Sequence, residues 1–200
     1  MTALRKTPVA LLAGAAPFTI RAERASDVVA REALLDACFG ANRHARTCQR
    51  LRDGCAPAEG LAFSAVCQDQ LVGTVRLWRV SAGGIPALVL GPLAVDPSCR
   101  ELGIGSALMN RALAASRTRG HGAVLLLGDA PYYARFGFSA LKTGELSLPG
   151  PFERDRLLGL ELSEGALDGA SGMIGPPVAA APLGKPRFAE ELRKSAPHAA

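Results

Sequence analysis

The chain has 200 residues, 48% of them hydrophobic and 20% charged, the composition of about one ordinary globular domain. That much apolar side chain excludes a wholly disordered chain, and no apolar run approaches the roughly 20 residues a bilayer span requires. The net charge of +5 comes from scattered Lys and Arg, so no clustered patch points to nucleic acid, and no membrane partner is expected.

The first decision falls at the amino terminus. Arg5 and Lys6 precede a short Ala-rich apolar stretch, 9–16, with the outline of a weak secretory signal. Pro8 opens that stretch and Gly14 interrupts it, so residues 1–17 are read as a flexible leader. A first strand is predicted over 18–22. Ser26 or Asp27 then caps a helix reaching Cys38, with Val28, Leu35 and Phe39 on one side and Arg31 and Glu32 elsewhere. A second, basic helix is predicted over 44–52, ended by Asp53-Gly54.

A hairpin follows: a strand over 61–67, a turn at Asp69-Gln70, and a return strand over 71–80. Residues 81–86 read as a Gly-rich loop, and 87–95 as a nearly all-apolar strand covered on both faces. A loop with Arg100, Gly103 and Gly105 leads into a long helix ending near Arg119-Gly120. Ile104, Leu108, Met109, Ala112, Leu113 and Ala115 share one arc of it, opposite Ser106, Asn110, Arg111, Arg117 and Thr118. The apolar stretch 123–127 is predicted as a strand parallel to its predecessor. A short helix over 132–136, a strand from Phe138, and a final strand over 157–162 complete the domain, placed at 18–174. Residues 175–200 read as an irregular tail with a short helix at 188–194.

The five cysteines (Cys38, Cys48, Cys55, Cys67 and Cys99) are odd in number and contain no Cys-x-x-Cys pair. His44, His121 and His198 do not stand at ligand spacing to them. Reduced thiols in a cytoplasmic protein are therefore expected, and no metal.

The chemistry concentrates where a strand meets a helix through Arg100-Glu101-Leu102-Gly103-Ile104-Gly105-Ser106. Unpaired amides at such a helix start, with the helix dipole, make an anion site, and glycines let backbone approach a phosphate closely. A dinucleotide fingerprint needs a third Gly at position 108, which is Leu108. A phosphate-binding P-loop needs Gly-Lys-Ser/Thr, whereas Gly105 is followed by Ser106-Ala107. What remains is a pyrophosphate held without lysine or metal, or a purely structural turn.

Leu93-Ala94-Val95-Asp96-Pro97 followed by Arg100-x-x-Gly103-x-Gly105 resembles the acetyl-CoA-binding motif of the GNAT acyltransferase superfamily. Tyr132-Tyr133-Ala134-Arg135-Phe136-Gly137-Phe138 resembles that superfamily's second motif, and the wider text is similar to its YhbS-type branch. The resemblance implies an α/β fold with a central mixed, mostly antiparallel sheet flanked by helices. It also implies a splayed strand pair that admits acyl-CoA. The backbone of Leu93, Ala94 and Val95 would lie along the pantetheine arm. The amides of Glu101, Leu102, Gly103, Ile104, Gly105 and Ser106, with Arg100, would hold the pyrophosphate.

Tyr133 occupies the position from which the family's tyrosine meets the departing thiolate. Read from the residues alone, it is a half-buried aromatic with its hydroxyl at the surface. A phenol of pKa about 10 can protonate a thiolate whose thiol has pKa about 8.5. The strand position where some relatives carry a base reads Leu88-Val89-Leu90-Gly91 and holds no acid. Asp129 could orient or deprotonate the amine through water, or simply cap the short helix; Glu23 and Glu161 have no positional argument. Tyr132 reads as packing.

The expected activity is N-acetyl transfer from acetyl-CoA, a co-substrate, to a primary amine by direct attack. The alternatives are a non-catalytic acyl-CoA-binding or sensor module and an enzyme of aminoacyl-tRNA. The acceptor is expected to be a small-molecule or peptide amine, and the protein a monomer or homodimer. Acceptor surfaces fall to 39–52 and 143–153, where Arg43, Arg46, Arg50 and Arg52 either meet an acidic acceptor or form a solvated basic face.

Overall fold

The computed structural model describes residues 18–177. The expected leader over 1–17, most of the expected tail and its helix at 188–194 lie outside the described residues. In chain order the elements are β1 (Thr19–Ala22), α1 (Val28–Phe39), α2 (Thr47–Arg50), β2 (Ala62–Cys67), β3 (Gln70–Ala82), β4 (Ile85–Val95), α3 (Ile104–Thr118), β5 (Ala123–Leu127), α4 (Ala130–Ala134), β6 (Leu146–Ser147), β7 (Leu157–Glu161) and β8 (Gly172–Gly175).

The main sheet runs β1-β2-β3-β4-β5-β7. Every pairing along it is antiparallel except β4 with β5. The fold is thus a mixed, mostly antiparallel sheet flanked by helices. Helix α3 covers one face. Ile104, Leu108, Met109, Ala112, Leu113 and Ala115 are all buried, the arc its 3.6-residue period marks out. They pack against Phe63, Val75, Leu77 and Leu88 of the sheet. The opposite face of the sheet carries Trp78, Val80, Val89 and Leu125, closed over by Leu146, Leu148 and Leu167. Among the described residues no helix is long and apolar enough to cross a membrane.

Several elements differ from expectation. Strands β3 and β4 are longer than predicted and leave only Gly83-Gly84 as their turn. The buried face of α1 is formed by Arg31, Leu34 and Leu35, while Val28 lies open. Arg31 can go inside because it donates to Glu23 at 2.7 Å and to Glu32 at 2.6 Å. The basic stretch 44–52 is not one helix. A 3-10 segment, Ala41–Ala45, is followed by extended Arg46 and the single turn of α2. Phe138 opens no strand; Ser139 makes one bridge to Gly159. Strand β7 is not the last, because Gly172–Gly175 adds to β3 and β6.

Candidate active site

The central opening arises where β4 and β5 part. They pair at Leu88–Val124 and Val89–Leu125 and no further. At that level the register of β4 against β3 slips at Gly91-Pro92, opposite Arg76. Gly91 adopts φ +142°, a conformation other residues rarely take. The Trp78 indole N–H donates to the Gly91 carbonyl at 2.7 Å and fixes the bulge. Pro92 has no N–H to pair, in keeping with an interrupted ladder.

Beyond the bulge, the Asp96 N–H donates to the Val72 carbonyl of β3. Backbone groups alternate along an antiparallel strand. Ala94 therefore faces β3, and Leu93 and Val95 face the gap. The Cys38 thiol reaches the Val95 carbonyl from the gap side at 3.3 Å. An extended ligand lying in the gap meets a strand edge at Leu93 and Val95 that no other strand pairs with, whereas Ala94 is buried against Leu34 and Leu35.

This edge leads to the start of α3. Pro97–Leu102 forms a 3-10 segment capped by Asp96, whose carboxylate accepts from the Ser98 amide at 3.0 Å. Gly103 then turns the chain with φ +74°, and Ile104 plugs into the core. The first amides of α3 lack helical acceptors and carry the positive end of the helix dipole. A Cβ at Gly105 would lie 3.1 Å from the Tyr132 hydroxyl and 3.6 Å from Val95 Cγ2, so there is little room for a side chain there. Leu102 packs on the core, Ser106 is half-buried, and Arg100 and Glu101 are exposed. Arg100 lines the cavity and lies close enough to the Cys38 thiol to lower its pKa, although burial pushes that thiol up overall.

Across the gap stands α4. Asp129 is at its N-cap, where its carbonyl accepts the Tyr132 and Tyr133 amides, but its carboxylate makes no capping bond and borders the cavity. Of the two sequence readings of Asp129, side-chain capping is therefore not what the geometry uses. The Tyr133 ring packs against Gly128. A Cβ there would come within 2.2 Å of Tyr133 Cε2. Tyr132 and Phe138 contact the ring edgewise at 4.9 and 6.0 Å between centroids. Burial pushes the Tyr133 phenol up to about 12, with Tyr132 adding to the shift. It is a proton donor that stays loaded at neutral pH. Tyr132 does more than pack: its hydroxyl end reaches Gly105 while the Arg135 guanidinium covers its ring at 4.4 Å.

The gap widens into a cavity of about 1030 Å³ whose far side is formed by 43–49 and 151–156. Two hydrogen bonds tie these segments together: Thr47 Oγ1 to the Pro151 carbonyl at 2.5 Å, and Arg50 to the Pro149 carbonyl at 2.6 Å. Glu23 and Glu161 are engaged elsewhere. Glu23 is held by Arg31 and Arg76, and Glu161 accepts from the Leu167 amide at 2.7 Å. Trp78 lines the cavity and carried no mark in the sequence, whereas Arg52 and Phe152, which line it too, fall in the two segments expected to face an acceptor. Among the described residues no group of three His, Cys, Asp or Glu side chains could hold a metal ion.

Comparison with known proteins converges on the same reading. The family model of the acetyltransferase (GNAT) domain matches residues 58–140, from before β2 to past the Tyr133 segment. The chain is 29% identical over 157 residues to the uncharacterized N-acetyltransferase YhbS of Escherichia coli strain K12, across 78% of this chain and 93% of the relative. The crystal structure of Escherichia coli YhbS in complex with CoA superimposes with a TM-score of 0.71 at 26% identity, covering 84% of this chain and 93% of that one. A GNAT acetyltransferase of Brucella melitensis in complex with acetyl-CoA gives 0.61 at 25% identity, covering 82% and 96%. Its motifs, its splayed sheet and these relatives all carry the same likeness: the chain is similar in sequence and in fold to the GNAT acetyltransferases.

Proposed function

We propose that this protein transfers the acetyl group of acetyl-CoA to a primary amine by direct attack, with Tyr133 as the acid that protonates the departing thiolate. The observation that carries the reading is the gap between β4 and β5. It has a strand edge at Leu93 and Val95 that no other strand pairs with, a helix start at Gly105 on one side, and a half-buried phenol on the other. In the relatives with CoA and acetyl-CoA, the same superfamily fold takes that ligand.

Each part has one task. The edge of Leu93 and Val95 pairs with the amide-bearing arm as an added strand would. The amides of the first turn of α3, reached through Glu101, Leu102 and Gly103, hold the pyrophosphate, and Arg100 adds a charged contact. These contacts fix the thioester beside the Gly91 bulge. The amine nitrogen forms its bond to the carbonyl carbon, the carbon–sulfur bond breaks, and the Tyr133 phenol gives its proton to sulfur. Asp129 lies on the same wall with its carboxylate unspent, and it takes the amine's proton directly or through water. Five free cysteines accord with a reducing, cytoplasmic setting.

Calorimetric titration of the purified protein tests this. Acetyl-CoA is expected to bind and NAD not to, and CoA thiol is expected to appear only when an amine is added. Binding without turnover over a broad amine panel would leave an acyl-CoA-binding module. A folded sample that ignores acetyl-CoA would overturn the assignment.

A further inference from the structure

Arginines crowd the acceptor side of the cavity, and their partners separate them. Arg43 donates to Glu32 at 2.5 Å and to Asp36 at 2.7 Å. Arg76 is held by Glu23. Arg46 lies over the Phe39 ring and donates to the Phe39 carbonyl. Arg156 reaches Glu153 at 3.8 Å, with both side chains well exposed.

Arg52 is different. Its Nε donates to the Cys48 carbonyl at 3.1 Å, four residues back in the chain. Among the described residues no carboxylate lies within ion-pair distance of its guanidinium. Burial pushes Arg52 below the usual guanidinium range, and the charges of Arg43 and Arg76 press the same way. Its position is specific as well. Arg52 Nη1 comes within 3.9 Å of where a Cβ on Gly91 would stand, beside the bulge at which β4 leaves β5.

A largely desolvated cation with no carboxylate paired to it, only the nearby charge of Asp53 acting on it, is costly to keep, and a planar guanidinium fork fits carboxylate or phosphate oxygens in pairs. We infer that Arg52 anchors an anionic group of the acceptor, so that the acceptor is a small amine carrying a carboxylate or phosphate. Asp129, beside Tyr133, then faces the amine end, and the cavity offers opposite charges to the two ends of one zwitterion. This rests on the reading of the protein as an amine acetyltransferase.

The test compares matched pairs by CoA thiol release: amino acids each against its own amide, and phosphoethanolamine against ethanolamine. The anionic member of the preferred pair is expected to lead in kcat/KM by at least about 30-fold, the scale of a desolvated charge contact. Whether the preferred pair is carboxylate or phosphate identifies the group. In Arg52→Gln the KM for that substrate should rise about 30-fold and the preference should fall towards unity. Arg52→Lys should restore part of it. The acetyl-CoA Kd, measured on each variant, is expected to stay within about twofold of the parent. Equal or better turnover of the neutral members by the parent protein would overturn the inference, as would a preference that survives in Arg52→Gln. An acetyl-CoA affinity absent from the parent protein would instead overturn the acetyltransferase reading.

Discussion

The two sides of the cavity are built from different material. The side from Leu93 to Ser106 is made of backbone: a strand edge, a helix start and a glycine with nothing on it. The side from 43 to 52 and 149 to 156 is made of side chains, brought together by hydrogen bonds about 100 residues apart in sequence. A backbone site imposes local demands, such as Gly at a left-handed turn or Gly where a ligand approaches, and those demands are written in consecutive residues. A side-chain site imposes demands only through its final assembly. The first side can be shared across a superfamily while the second is free to set the substrate.

The largest expected effect breaks the backbone side. Gly105→Glu sets a carboxylate against the incoming pyrophosphate. Two like charges about 4 Å apart at an effective dielectric of about 20 repel by about 4 kcal/mol, close to a thousandfold in Kd. Calorimetry with acetyl-CoA reads this directly. Gly105→Ala sharpens the point. Its Cβ meets the movable hydroxyl end of Tyr132 at 3.1 Å and not backbone, so a loss below about tenfold is expected. Full affinity in Gly105→Glu would show that the phosphates lie elsewhere.

Tyr133 stands between the two sides and should affect chemistry without affecting binding. Tyr133→Phe keeps the ring on Gly128 and its edge contacts to Tyr132 and Phe138, and removes the proton. A fall in kcat of about 100-fold with an unchanged acetyl-CoA Kd is expected. The pH profile supplies a second reading. Burial disfavours the phenolate and carries the phenol from its ordinary 10 to about 12. The acid therefore remains protonated, and kcat should show no falling limb from Tyr133 below about pH 11. An alkaline limb near pH 9 that disappears in Tyr133→Phe would contradict a buried donor.

Legibility follows the same division. The core arc of α3 could be read because a 3.6-residue period needs no partner to reveal it. The glycine loop and the Tyr133 segment could be read because their geometry is local. The helix expected over 44–52 could not be read correctly. Thr47 and Arg50 spend their side chains on the Pro151 and Pro149 carbonyls, and the chain breaks at Arg46 to let them. The burial of Arg31 depends on Glu23, which arrives from the end of β1 and is also held by Arg76 of β3. The strand Gly172–Gly175 carried no strand prediction because its glycines disfavour one, and it forms only by adding to the end of β3 and to β6. Arg52 stood in the sequence with Arg43, Arg46 and Arg50, a set that either meets an acidic acceptor or forms a solvated basic face. Only the partners of its neighbours set it apart.

The smallest expected effect belongs to the side-chain side. Thr47→Val is close to isosteric and removes the hydroxyl that donates to the Pro151 carbonyl. The bond is short but exposed, and water can replace the donor, so its net worth is about 0.5–1.5 kcal/mol. That energy closes the outer wall of the cavity around the acceptor and lies on the opposite side from the start of α3. The KM for the amine should therefore rise by about two- to tenfold, while the acetyl-CoA Kd and the effect of Tyr133→Phe on kcat stay as they were. Steady-state kinetics with each substrate varied in turn separates these quantities. A change in acetyl-CoA affinity equal to the change in KM would mean that the two sides of the cavity move as one body. In that case the division between a backbone half that holds the donor and a side-chain half that selects the acceptor would not hold for this protein.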